Sequence, residues 1–322
     1  MKFKKIYIVV LIVCLHSGMS YCLSIFDPGT SGAPFLELQT GFRNIHLGDA
    51  NITDQSGDGL ILNNPAGLAS ALKNEVGISG SKHIRDAQFG NIYYINKKNK
   101  RPFHFGISIS YLTTTPMQVT TWTYPLGEPD KTFYYSSMFG SFGIGYKFKK
   151  TKVSIGGNLK IYSESINYSS GSQSVAGYTV MIGVSSIFQF NKFFKTGIII
   201  DNIGPGIKFD QERDKLPAKI KIGVSYKIFE IDIYSSFVQI IGGYRYFNVG
   251  LNYSPKIDIK MPFKFAVFGG WKLPLNSGDI MKLTDRVSGG INLEFNEIGI
   301  DIGLRNSGFL GISKDIRLYY LF

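Results

Sequence analysis

The side chains that most often do chemistry are thinly spread in this sequence. Four histidines stand at positions 16, 46, 83 and 104, whereas a metal ion needs several ligands converging on one point. His104 lies four residues before Ser108, with Ser110 beyond. On a strand that spacing is too long for the hydrogen bond a Ser–His nucleophile requires, so a structural histidine is expected. Gly140-Ser141-Phe142-Gly143-Ile144-Gly145 has the look of a phosphate loop, but neither Lys-Ser/Thr nor a helix follows it. Small residues that let strands curve, or leave room inside a fold, account for it better. Asp49, Asn51, Asp54 and Asp58 lack calcium-loop spacing. Cys14 and Cys22 both fall in or at the edge of the N-terminal segment, leaving no pair for zinc, redox chemistry or a disulfide. The expectation is a protein with no catalytic residues, no metal and no cofactor.

What remains is charge placed by periodicity. Ala218, Ile220, Ile222, Val224, Tyr226 and Ile228 alternate with Lys219, Lys221, Gly223, Ser225 and Lys227. Val287, Ile291, Leu293 and Phe295 oppose Arg286, Ser288, Asn292 and Glu294, and Ile298, Ile300, Ile302 and Leu304 oppose Asp301 and Arg305. Successive side chains on a strand point to opposite faces, so Lys219, Lys221, Arg286 and Arg305 share the non-greasy face. There they are able to hold a carboxylate head group, although pairing with Glu294 and Asp301 is the expected role.

The elements carrying these residues follow an export signal. Lys2, Lys4 and Lys5 precede an apolar run, Ile6 to Leu15, that is too short to span a bilayer. Residues 1–22 are therefore read as a signal peptide. Cleavage before Leu23 and an earlier cut both stay open, as does acylation at Cys22, against which the bulky Tyr21 speaks. Removing the three lysines takes the formal net charge from +12 to +9. The remaining lysines are dispersed through strands and turns, which suits lumen and headgroup contacts and argues against a nucleic-acid partner.

Residues 23–74 are not strand-like: Gly29, Gly32, Gly41 and Gly48 interrupt them, and Asn64-Pro65-Ala66-Gly67-Leu68 opens a short helix that Asn64 can cap. From Glu75 onward a period of two predicts strands near 75–81, 87–96, 103–112, 134–147, 151–164, 174–187, 194–201, 217–227, 229–238, 244–253, 262–271, 286–295, 297–305 and 314–322. Many are far longer than the usual five or six residues of soluble strands, and Tyr, Phe and Trp recur at their ends, as an interfacial girdle would require. After the signal no run of 18 apolar residues appears. Strands that cross lipid must close so that every backbone group is paired. The fold expected is all-β, a transmembrane antiparallel barrel of about 14 strands over residues 75–322, preceded by the non-strand segment 23–74. The final strand, alternating Ile316, Leu318, Tyr320 and Phe322 on one face, suits recognition by outer-membrane assembly machinery.

Gly29-Thr30-Ser31-Gly32-Ala33-Pro34-Phe35-Leu36-Glu37-Leu38 resembles the opening of the PorV/PorQ family of outer-membrane proteins. Gly41-Phe42-Arg43 and Leu47-Gly48-Asp49-Ala50 resemble its continuation, and Asn64-Pro65-Ala66-Gly67-Leu68-Ala69 matches its N-P-A-G-L-A, shared with FadL-type fatty-acid transporters. Asp201 to Phe209 resembles a later turn of the family, and Thr53 to Gly59 departs from its mid-hatch acidic and aromatic residues. The resemblance implies a FadL-like barrel whose lumen hatch carries Asn64, Pro65 and Ala66. It also implies one of two functions: passive uptake of long-chain fatty acids or other hydrophobic small molecules, or a PorV-like accessory role in protein secretion. Partners expected are membrane lipids, a hydrophobic ligand and, for the second function, secretion proteins met by Trp122, Tyr124 and Met281. The location implied is the outer membrane.

Overall fold

The computed structural model describes residues 31–37, 40–53, 57–82, 87–97, 102–148, 150–169, 174–209, 212–256, 263–275, 286–308 and 311–322. The signal with Cys14, His16 and Cys22, the Gly29-Thr30 start of the family motif, and Asp54, His83 and Met281 lie outside the described residues.

Alternating residues with β-branched and aromatic side chains form 14 long strands: β1 (Glu75–Lys82), β2 (Gln88–Asn96), β3 (Phe103–Thr113), β4 (Thr132–Lys147), β5 (Val153–Tyr168), β6 (Val175–Gln189), β7 (Phe194–Ile203), β8 (Lys219–Ile228), β9 (Ile231–Ile240), β10 (Arg245–Tyr253), β11 (Phe263–Pro274), β12 (Val287–Phe295), β13 (Ile298–Asn306) and β14 (Ile312–Leu321). Each pairs antiparallel with its sequence neighbours. The ring closes where β1 meets β14, from Glu75 opposite Leu321 to Lys82 opposite Lys314. Backbone bonds between Asn74 and Phe322 at 3.1 and 3.0 Å complete that seam. Three two-residue ladders, Met117–Gln118, Ile207–Lys208 and Arg213–Asp214, belong to the longer connections at one end. The other end carries the tight turns, such as Phe295 to Ile298.

The strand count agrees with the periodicity, and the ends move by up to four residues. The largest change is in β5, expected over 151–164 and found over Val153–Tyr168. Its extra turn-ward residues pair with β4, where Phe133 and Tyr168 lie opposite each other with ring centroids 6.1 Å apart. The pair thus runs on past the apolar belt.

That belt is explicit. Ile78, Ile109, Phe142, Leu159, Val180, Ile302 and Leu318 all face outward, between 44 and 57% exposed. A nine-residue strand is roughly 30 Å long, which once tilted matches the apolar height of a membrane barrel. Soluble monomers rarely expose a contiguous apolar surface of this kind; in a bilayer it meets lipid, and the closed ladder leaves no backbone edge to desolvate.

The N-terminal residues lie inside this ring. They contain a 3₁₀ turn (Pro34–Glu37), α1 (Phe42–His46), α2 (Gly59–Leu62) and α3 (Pro65–Leu68). The helix expected to start at Asn64 is only this single turn, and Asn64 does not cap it. Its side-chain amide donates instead to the carbonyl of Ile52. A buried amide must find a protein partner, and the carbonyl across the fold wins over the local cap.

Candidate functional site

Four sets of contacts seat the N-terminal segment against the inner wall. The first centres on Arg317 of β14, which is 2% exposed. Register places it directly opposite Asp301 of β13, and its Nε donates to the Asp301 carboxylate at 2.5 Å. The same guanidinium lies 3.7 Å from Asp58 of the segment and 3.9 Å from Glu75 of β1. Asp58 also accepts the backbone N–H of Phe42 at 3.0 Å and of Gly59 at 3.1 Å. One carboxylate therefore caps the starts of both α1 and α2 while facing the wall's cation, satisfying donors that a helix leaves orphaned.

The second is an ion pair. Lys221 of β8 donates to both oxygens of Asp49, at 2.7 and 2.9 Å, and Ser236 donates to the Asp49 carbonyl at 2.8 Å. The third joins His46 of α1 to Asp315 of β14, with Nε2 3.0 Å from the carboxylate, while Nδ1 lies 2.8 Å from the Phe42 carbonyl.

The fourth seats the Asn64-Pro65-Ala66 turn on glycines. Ala66 N–H donates to Ser185 Oγ at 2.8 Å, and His104 Nδ1 lies 2.9 Å from the carbonyl of Leu68. A Cβ at Gly145 would meet the Pro65 carbonyl oxygen at 2.5 Å, and one at Gly156 would meet it at 2.6 Å. The wall here is bare backbone because any side chain would occupy the turn's place. His104 is thus a structural lumen residue, with Ser108 and Ser110 buried on the same face.

Of the four lumen charges expected from parity, Lys219 and Lys221 are buried, but the pairing differs from the expected one. Lys221 binds Asp49, whereas Asp301 is held by Arg317 and Glu294 by Lys264. Parity selects the face and not the neighbour, and Asp49 is 172 residues away in sequence. Lys219 lies opposite Asp201 in register, yet both Asp201 oxygens are taken by Lys160 at 2.8 and 2.7 Å. Arg286 is 5.4 Å from the Tyr246 ring centroid, and Lys272 is 3.9 Å from the same ring. Arg305 lies opposite Ser288 and Ser313. These cations sit at the long-loop ends of their strands. Arg317 and Asp58 were missed as a hub, although the alternation of Asp315 and Arg317 against the greasy face carried the signal.

The long-loop half of the lumen is apolar at its centre. Phe35 packs among Phe89, Phe139 and Tyr162 at centroid distances of 5.9, 5.5 and 6.5 Å, with Leu112, Met181 and Leu216 in the same cluster. At its edge Tyr135 and Tyr162 both donate to Glu164, each at 2.6 Å. A cavity of about 210 Å³ beside Asn202–Gly206 and Arg213–Leu216 opens near this cluster. By contrast, the gap between the segment and the wall at Asp49, Asn64 and Lys221 measures about 10 Å³, room for one water.

A closed 14-strand antiparallel ring with an apolar exterior defines a membrane β-barrel whose lumen holds the N-terminal segment. No protein-family profile matches the chain, and no curated protein matches it in sequence. Solved structures do match in fold. A deltaS2S3 mutant of the monoaromatic hydrocarbon channel TodX superposes with a TM-score of 0.63 at 10% identity, covering 88% of this chain and 99% of that one. The toluene transporter TbuX of Ralstonia pickettii gives 0.61 at 10% identity over 88% and 98%. A FadL homologue of Pseudomonas aeruginosa gives 0.57 at 9% identity over 88% and 99%. TodX and TbuX are named as a channel and a transporter, and at such identities the likeness speaks for the fold.

Proposed function

We propose that the protein is an outer-membrane channel for passive uptake of hydrophobic or amphipathic small molecules, with residues 23–74 acting as its hatch. The observation that carries this reading is the apolar cluster around Phe35, set inside a lumen otherwise closed by a charge-anchored segment. Such an interior opposes flow of water and ions while offering a greasy solute a place to partition. The solute enters at the long-loop end, past the cavity beside Asn202–Gly206. The cations Lys219, Lys272, Arg286 and Arg305 near that mouth favour compounds with a carboxylate head, such as long-chain fatty acids. The fold neighbours named as hydrocarbon and toluene channels support the reading.

The test is radiolabelled palmitate entering liposomes that carry the purified protein. Uptake should exceed that of an unrelated barrel at equal protein density; equal uptake would remove the proposal's support.

A second reading, an accessory barrel of a secretion or surface-attachment system in the manner of PorV, draws on one feature. Trp122 and Leu126 in the connection between β3 and β4 are almost fully exposed, beside a half-exposed Tyr124. Extraction in mild detergent should then co-purify a large membrane or exported partner that is lost in Trp122→Ser. A lone barrel from wild-type membranes would defeat this reading.

A further inference from the structure

The outer wall over β3 to β6 differs from the rest of the belt. Between the outward side chains of Phe103, Ile144, Tyr146, Ile155 and Val184 lies a groove of about 550 Å³ whose floor includes Gly157. Gly157 points outward by strand parity, and a Cβ placed on it would touch only the Gly183 carbonyl oxygen, at 3.6 Å. The depression exists because the floor has no side chain. The turn carrying Asn64, Pro65 and Ala66 is seated behind it, on the lumen face of Gly156.

The tight turns below this groove are basic. The described residues of 97–102, 147–152 and 189–195 include Lys97, Lys147, Lys150, Lys152, Lys192 and Lys195, and the sequence there has no Asp or Glu. Among the described residues Lys97, Lys147, Lys150, Lys152 and Lys192 make no ion pair; Lys152 donates to the Phe190 carbonyl at 2.6 Å, and Lys192 lies 4.9 Å from the Phe193 ring centroid. The turn between β8 and β9 is different, because there Lys227 is matched by Asp232 at 3.0 Å. Lys147 directly follows the groove residue Tyr146, and Lys152 precedes Ile155 by three residues, about 10 Å along an extended strand. Phe148, Phe190 and Phe193 are half-exposed at the same level, where aromatic rings anchor at the lipid headgroups.

We infer that this arc binds an anionic glycerophospholipid of the leaflet facing the tight turns, one acyl chain lying in the Gly157 groove and the phosphate held by Lys147, Lys150 and Lys152. The groove looks into the hydrocarbon, so its occupant is a lipid chain. A cationic band without carboxylates, set where lipid phosphates lie, supplies the complementary charge. Long lysine stems reach from the strand ends to that level. The inference holds whether or not the barrel transports anything.

Native mass spectrometry of the full-length protein, released from nanodiscs of mixed phosphatidylethanolamine, phosphatidylglycerol and phosphatidylcholine, reads out retained lipid. Phosphatidylglycerol should be retained several-fold above phosphatidylcholine. Retention should fall several-fold both in the combined variant Lys147→Gln, Lys150→Gln, Lys152→Gln and, separately, in Gly157→Phe, which fills the groove. The first changes exposed side chains at the end of β4 and in the turn after it, and the second projects into open space, so both variants keep the barrel; heat-modifiable migration confirms it. Retention unchanged in both variants would overturn the site. Displacement of the bound phosphatidylglycerol by palmitate would also overturn it, making the arc an exit point for a transported carboxylate, and so would capture of an acidic protein in place of lipid.

Discussion

Arg317→Leu is expected to be the most destructive single change in the lumen. The wild-type guanidinium is buried and faces the carboxylates of Asp301, Asp58 and Glu75. Without it three buried carboxylates share the site with no cation among the described residues, and breaking a buried ion pair from one side costs about 3–5 kcal/mol. The loss spreads further because Asp58 also caps α1 and α2, so a change in its charge or position releases both helix starts. Urea unfolding of the refolded barrel in detergent, followed by heat-modifiable migration, should show a lower midpoint and an unfolding free energy reduced by that amount. Combining Arg317→Leu with Asp301→Leu should recover part of it, since apolar replacement of both partners is often tolerated. An unchanged midpoint in the single variant would mean that the carboxylates are neutral or solvated, and the hub would not exist.

Gly156→Val addresses the opposite side of the lumen and should leave the barrel standing. The added Cβ would collide with the backbone of Pro65 and Ala66, and overpacking of this type costs about 1–3 kcal/mol. That strain falls on the seat of the segment and not on the ladder, where Gly156 stays paired between Gly145 and Ser185. An open state should become about 5- to 150-fold more populated, read as added conductance steps in planar bilayers. Gly157→Val supplies the control one residue away, because its side chain points into the lipid. If both variants conduct alike, the turn is not seated on the wall.

Much of the barrel was legible. Period-two runs such as 218–228 and 286–305 assign faces correctly, since a membrane barrel holds each strand to one greasy and one polar side. The number of strands follows from counting such runs. Strand ends were less legible, as β5 shows, because pairing partners and not hydropathy decide how far a ladder continues. Inside the lumen the sequence indicated that Lys219 and Lys221 face inward, but a lysine's partner depends on how a loop-rich segment folds against the wall. No periodicity governs residues 31–74. Asn64 illustrates the point: its neighbours suggest a helix cap, and only the arrival of Ile52 in three dimensions redirects its amide.

The seam between β1 and β14 has a consequence for assembly. Glu75 opens β1 immediately after the lumen segment, Arg317 belongs to β14, and Asp58 belongs to the segment, so the three meet only when the two most distant strands come together. Contacts this remote in sequence form late and slowly. The Arg317 anchor therefore forms only as the ring closes, whereas the Lys221–Asp49 pair and the seat on Gly145 and Gly156 need no residue of β14.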